Sequence, residues 1–178
     1  MATSALKIPI LFSQRLCLKP LAMEYSQGMY QMWRQQEVQK YSGVAKDING
    51  HQIVLPARQP EDSNKLIQFW IQAANDGWGF RWAVLSINTR NQFIGHIGFN
   101  QLGDCAEIAY HMNPEYWGHG YMQEAAVQAL EWSKSQGTKE VEAYVSPENL
   151  RSIRLTESLG FLPTEVYEEG ARRYRRDL

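Results

Sequence analysis

Over residues 10–21 the chain alternates Arg15, Cys17 and Lys19 with Leu16 and Leu18, the period of two that predicts a half-buried strand. Met29, Tyr30, Met32 and Trp33 then recur at helical spacing, so the strand leads into a helix. Leu66, Ile67, Trp70, Ala73 and Ala74 share one face of a second helix, which Asp62 or Ser63 can cap and which Gly77 closes. Three strand-like runs follow at 80–87, 92–99 and 105–112, and the short polar links between them predict an antiparallel meander.

Beyond residue 113 the pattern changes. Met122, Ala125, Ala126, Ala129, Leu130 and Ser133 line one helical face and Gly137 ends it; 141–145 reads as a strand, 150–159 as a helix, and a strand pair completes the chain. A meander followed by alternating helix and strand predicts an α/β chain of mixed α+β character, whose central, mostly antiparallel sheet carries helices on both faces. Its ligand is expected where the sheet turns parallel. Residues 42–60, broken by Gly43, Gly50, Pro56 and Pro60, read as a functional loop within the domain.

A length of 178 residues predicts a single domain, 1–178. A content of 44% hydrophobic and 21% charged residues excludes disorder and fibrous repeats. Eighteen Lys and Arg against 19 Asp and Glu leave a net charge of -1, which removes the broad attraction that non-specific nucleic-acid or anionic-membrane binding uses. No apolar run approaches the ~18 residues of a bilayer span, and residues 1–12 lack the pattern of a secretion signal, so a cytoplasmic location is expected. Cys17 and Cys105 are far apart and form no Cys-x-x-Cys pair; they read as reduced structural thiols, and no metal is expected.

The chemistry concentrates in Asn113-Pro114-Glu115-Tyr116-Trp117-Gly118-His119-Gly120-Tyr121-Met122-Gln123-Glu124-Ala125-Ala126, which joins a strand to the start of a long helix. The N–H groups of 118–122 can converge there on an anion such as a pyrophosphate, helped by the open donors and dipole of the helix; alternatively Gly118 and Gly120 merely permit a tight turn. A dinucleotide fold is disfavoured, because Gln123 stands where its third glycine belongs. A second segment, Asn149-Leu150-Arg151-Ser152-Ile153-Arg154-Leu155-Thr156-Glu157-Ser158-Leu159-Gly160-Phe161, reads alone as a capped amphipathic helix.

In this order the two segments resemble the GNAT superfamily of acetyl-CoA-dependent N-acetyltransferases. Asn149, Ser152, Leu159, Gly160 and Phe161 match its N-x-x-S helix ending in L-G-F, whereas of Q/R-x-x-G-x-G/A only Gly120 matches, Trp117 and Met122 standing at the other positions. The stretch 114–125 is similar instead to the P-E-Y-W-G-x-G-Y-x-x-E-A form of a subgroup of bacterial ribosomal-protein N-acetyltransferases, and 13–21 echoes that subgroup's S/T-x-R-L-x-L-x-P-L strand.

The resemblance implies a GNAT fold and acetyl transfer to a primary amine by direct attack in a ternary complex. The acceptor it suggests is a protein N-terminus, with a ribosomal protein as candidate partner; a small amine and a non-catalytic CoA-binding module are the alternatives, and the protein is expected as monomer or homodimer. It implies that the N–H groups of Gly118, His119, Gly120, Tyr121 and Met122 hold the CoA pyrophosphate. The backbone of Tyr110, His111, Met112 and Asn113 would pair with the pantetheine, a donor near Met112 serving the oxyanion. Asn149 would bond the pantetheine or cap its helix. Ser152 would bind pantetheine or protonate the leaving thiolate, since Thr156 stands where many relatives carry a Tyr.

The attacking amine must lose a proton, and Glu107, on the strand side shared with Ala109 and His111, is the first candidate to take it, with His111 second. Each also has a plain reading, as an ion-paired strand carboxylate and a hydrogen-bonded strand histidine. Trp33, Trp78 and Trp82 read either as walls of an acceptor cleft or as core. Arg172, Arg173, Arg175 and Arg176 read as a solvated edge strand, or as a surface for an acidic substrate face or the CoA 3′-phosphate.

Overall fold

The 10–21 run folds as two strands, not one. In a computed structural model that describes residues 4–178, β1 (Leu11–Phe12) turns back through Ser13-Gln14-Arg15 and pairs antiparallel with β2 (Leu16–Pro20), the Ser13 N–H donating to the Leu16 carbonyl at 2.9 Å. Leu16, Cys17 and Leu18 are all buried, so β2 is covered on both faces rather than half-buried. The first three residues of the 1–12 segment lie outside the described residues.

The helices α1 (Ser26–Trp33) and α2 (Gln36–Gln39) precede α3 (Pro60–Asp76). The last of these starts earlier than the expected Asp62 or Ser63 cap. Gln59 is the N-cap, Pro60 occupies a first-turn position where no N–H is needed, and Asp62 Oδ2 accepts from the Arg58 and Gln59 amides at 2.9 and 3.2 Å. Gly77 closes the helix in the left-handed region at φ 83°, as expected.

The meander forms as predicted from β3 (Phe80–Ser86), β4 (Gln92–Gln101) and β5 (Cys105–Met112). Then come α4 (Tyr121–Ser135), β6 (Glu140–Val145), α5 (Leu150–Ser158), β7 (Leu162–Glu168) and β8 (Ala171–Asp177). The eight strands form one sheet in the order β1-β2-β3-β4-β5-β6-β8-β7. Every neighbouring pair is antiparallel except β5 and β6, whose parallel pairing covers only Cys105↔Glu140, Ala106↔Val141 and Glu107↔Glu142.

The sheet separates two apolar layers. Leu16, Leu18, Phe80, Trp82, Ile97 and Phe99 pack on one face against Ala125, Ala126 and Ala129 of α4. Cys17, Ala83 and Leu85 pack on the other against Met29, Met32 and Trp33 of α1 and Leu66 and Ile67 of α3. The period-two alternation of β3 thus feeds two cores, and all seven of its residues are buried. Trp82 belongs to the α4 core and walls no cleft; its indole N–H donates to the Pro9 carbonyl at 2.8 Å. Trp78 is exposed and packs on Phe69 and Trp70.

The edge strand at this end of the sheet is β7, and β8, with the arginine run, lies inside the sheet. Its arginines are occupied within the chain: Arg172 meets Glu165 at 2.9 Å, Arg173 meets Glu142 at 3.6 Å, Arg175 pairs with Glu140, and Arg176 donates to the Leu159 carbonyl at 2.7 Å. Among the described residues no helix is long and apolar enough to cross a membrane.

Candidate active site

Past Glu107 the strands β5 and β6 no longer pair, and a wedge opens between them. In the antiparallel β4–β5 ladder the Asn113 amide donates to the Ile94 carbonyl at 2.9 Å, and bonding alternates along the strand. The amides of Tyr110 and Met112 therefore face away from β4, toward the wedge, as an unpaired edge. Asn113 is not part of that edge. Its amide is committed to β4, and its Oδ1 accepts from the Glu115 amide at 3.2 Å and from Gln35 Nε2 at 3.1 Å. The Met112 carbonyl takes the indole N–H of Trp117 at 2.9 Å, and Arg151 lies over the Trp117 ring at 3.5 Å.

At the mouth of the wedge stands the N-terminus of α4. Gly118 and Gly120 sit at φ 80° and 75°, and Gly120 is the N-cap, with no side chain to satisfy the first-turn donors. A Cβ on Gly118 would meet nothing within 4 Å, so the space over the loop is open. Arg15 holds the loop from outside. Its guanidinium donates to the His119 carbonyl at 2.9 Å and to Glu124 at 2.7 Å, and stacks on Tyr121 at 4.4 Å. The Ser13 hydroxyl and the Arg15 amide also donate to Glu124, at 2.6 and 2.8 Å. The sequence placed this strand signature and Glu124 in separate motifs and assigned neither a role.

On the face of β5 turned toward α5, three hydroxyls converge. Tyr110 Oη lies 2.7 Å from Ser152 Oγ and 3.2 Å from Thr156 Oγ1. Burial pushes the phenol's pKa up, against the pull of these two hydrogen bonds. Asn149 caps α5, its Oδ1 accepting from the Ser152 amide at 3.2 Å.

The opposite face of β5 carries Glu107 and His111, as the alternation predicted. Glu107 Oε1 accepts from Asn100 Nδ2 at 2.6 Å, and Asn100 Oδ1 in turn accepts from Arg81. Arg81 is buried and stacks on Trp70 at 3.5 Å; burial lowers its pKa to about 9, with Glu107 opposing. The parallel register sets Glu142 beside Glu107. Burial, and then the carboxylates of Glu107, Glu140 and Glu168, raise the Glu142 pKa against Arg173. Sequence gave no sign of Glu142, since the parallel pairing that brings it here joins strands separated by α4.

His111 is placed otherwise than a base requires. Its Nε2 shares a hydrogen with Ser42 Oγ at 2.8 Å, and its ring packs on Trp33 at 4.6 Å and His96 at 5.1 Å. Burial, with Arg81 next, pushes its pKa down to about 3, too weak a base for amine chemistry near neutral pH. The 42–60 loop thus meets the site through Ser42, and Trp33 backs the histidine.

Cys105 donates to Glu140 at 3.5 Å, and burial followed by the Glu142 charge raises its pKa to about 11, so it has no nucleophilic character. Its Sγ and the carboxylates of Glu140 and Glu142 lie within 4.8 Å of one another, with both carboxylates engaged by arginines.

The acetyltransferase (GNAT) domain family matches residues 15–162. N-acetyltransferase p20 of Bacillus licheniformis, itself uncharacterized, is 28% identical over 155 residues, 85% of this chain and 81% of that one. A candidate ribosomal-protein-serine acetyltransferase from Vibrio cholerae superposes with a TM-score of 0.80 at 15% identity, covering 96% of this chain and 98% of its own. The L7/L12 α-N-protein acetyltransferase RimL, in complex with CoA, superposes at 0.77 and 16% identity, with 96% and 98% coverage.

Proposed function

We propose, from the premise that this chain belongs to the GNAT acetyltransferase family and is an N-acetyltransferase, that it moves the acetyl group of acetyl-CoA to the α-amino group of a protein N-terminus. The observation that carries the reading is the wedge between β5 and β6, with an uncapped helix N-terminus at its mouth and a glutamate pair on the far face of the sheet. Acetyl-CoA supplies an activated acyl thioester. The residues present suit it: the open donors around Gly118 to Met122 would hold its pyrophosphate, and the wedge-facing backbone of Tyr110 and Met112 would bond its pantetheine.

Glu107, oriented by Asn100, would accept the proton that the amine must lose, and the neighbouring Glu142 would favour the ammonium form on arrival. The Met112 amide would donate to the carbonyl oxygen as negative charge develops there. Peptide N-termini are favoured as acceptors by the names of the structural neighbours, one a ribosomal-protein-serine and one an L7/L12 α-N-protein acetyltransferase.

The test is CoA-thiol release from acetyl-CoA with a panel of N-terminal peptides, including ribosomal-protein N-termini, and of small amines, alongside thermal unfolding with acetyl-CoA, CoA and NAD. A ligand at 100 times its Kd stabilises by about 2.7 kcal/mol. Stabilisation by the CoA ligands alone, with thiol release for peptides, is expected. Release only with polyamines or amino acids would replace the acceptor class, and stabilisation without any release would reduce the protein to a CoA-binding module.

A further inference from the structure

The wedge is crossed at one place by a side chain of β5. Tyr110 lies three residues past Glu107, the last β5 residue paired with β6, and its hydroxyl reaches α5 to meet Ser152 and Thr156, which are one helical turn apart. Thr156 is 1% exposed, so its hydroxyl is closed to bulk water, while Ser152 is half-buried. Among the described residues these two hydroxyls are the only hydrogen-bond partners of the phenol.

A phenol oxygen has one hydrogen to give and two lone pairs to fill. When Ser152 and Thr156 both donate, the lone pairs are filled and the O–H is left to point elsewhere, into the wedge. The cluster is partly withdrawn from water, Thr156 being buried and Tyr110 and Ser152 half-buried, so the phenol O–H that Ser152 and Thr156 leave free gains from a partner in the wedge.

We propose that Tyr110 is the proton donor to the departing CoA thiolate, and that Ser152 and Thr156 support it by donating to its oxygen as the phenolate forms. This rests on the acetyltransferase reading above. The amine nitrogen bonds to the acetyl carbon, the carbon–sulfur bond breaks with its electron pair on sulfur, and the Tyr110 proton passes to that sulfur. The phenolate recovers a proton through solvent, equal to the one the amine surrendered to Glu107, so the cycle closes with no net gain or loss. A tyrosine of the strand facing α5 brings the phenol to Thr156. Ser152, which sequence resemblance offered as the acid itself, becomes a positioning residue.

The experiment compares the wild-type chain with Y110F, S152A and T156V, measuring kcat and the acetyl-CoA KM by thiol release, and thermal stabilisation by CoA. Y110F is expected to lose about 100-fold or more in kcat, with KM and CoA stabilisation essentially unchanged. S152A and T156V are expected to lose less, with KM likewise unchanged. A kcat for Y110F near that of the wild type, a change confined to KM, or a greater loss in S152A than in Y110F would each overturn the assignment. Should Y110F fail to fold, the S152A/T156V double variant decides: a lower kcat at unchanged KM supports the donor, and an unchanged kcat removes it. A wild-type chain that stabilises with CoA yet releases no thiol would instead bring down the acetyltransferase reading, a result distinct from a silent Y110F beside an active parent.

Discussion

Arg15 and Glu124, 109 positions apart, are joined by two hydrogen bonds, from the Arg15 amide to Oε1 at 2.8 Å and from Nε to Oε2 at 2.7 Å. The β1–β2 turn thereby grips the first turn of α4, and the second guanidinium arm, on the His119 carbonyl, fixes the loop that precedes it. An acidic residue in a helix's first turn also complements its dipole, so Glu124 serves the helix and the turn together.

Replacing Glu124 by Ala leaves these donors without their acceptor and is expected to cost about 1–3 kcal/mol in urea unfolding at pH 7. Burial pushes the Glu124 pKa up, but the bonds from Ser13 and Arg15 prevail and leave it below its ordinary 4.5. Its contribution is therefore present above the unfolded-state value and is lost as pH falls through the lower folded one. The cost of E124A should shrink in that acid window; a cost that does not change with pH would contradict the account.

Two histidines, His96 buried and His111 half-buried, tilt stability with pH in the same direction. Burial, with the neighbouring His111 and Arg81 charges, holds His96 well below its ordinary 6.5, and burial with Arg81 holds His111 at about 3, so both are neutral when folded. Unfolding lets them bind protons, and stability should fall as pH drops below about 6.5. Melting temperatures from pH 8 to 5 will show this decline, and it should be smaller in His96→Gln.

Proton removal from the amine is expected to depend on Glu107 and not on His111. Glu107→Gln should lower kcat by about 100- to 10,000-fold, while His111→Asn should keep the wild-type pH profile even if less stable. Since the Glu142 pKa lies above 4.5 through burial and the surrounding carboxylates, Glu142→Gln should move the acid limb of kcat/KM to lower pH. Pre-steady-state and pH-rate measurements on the three variants distinguish these roles, and a collapse of kcat in His111→Asn would return the base to the histidine.

Gly118→Ala and Gly120→Ala are expected to cost about 1–2 kcal/mol each through backbone strain alone, because an added Cβ has open space at Gly118 and only the Arg15 guanidinium, at 3.6 Å, at Gly120. Both should weaken CoA binding, read by calorimetry, since the donors of the helix start turn with the backbone.

The elements that sequence revealed were those set by local chemistry. Alternation gave the meander, helical spacing gave α1 and the buried face of α4, and Gly77 and Gly137 marked helix ends. The errors came where distant packing decides. Nothing in residues 10–21 announces that β2 will be covered on both faces, because that depends on α1, α3 and α4 arriving from elsewhere. Pro60 looked like a loop residue because its tolerance for a helix start shows only with Gln59 and Asp62 placed around it. The same distance hid half of the site. Of the proposed site, the glycines, Glu107 and Asn149 could be named from the sequence, whereas Glu142, Asn100 and the Tyr110 hydroxyl gain their meaning from strand register and from α5 lying opposite β5.

That brief parallel seam also sets how the resting protein breathes. On β5, the amide of Asn113 is tied to Ile94 and the alternation ties His111 to His96, while those of Tyr110 and Met112 face the gap. Deuterium uptake should therefore run in a period of two along a strand that is otherwise central, fast at 110 and 112 and slow at 111 and 113. Whatever molecule adds itself as the missing neighbour will be recorded by the slowing of the even-numbered amides, a fingerprint of occupancy that needs no turnover to be seen.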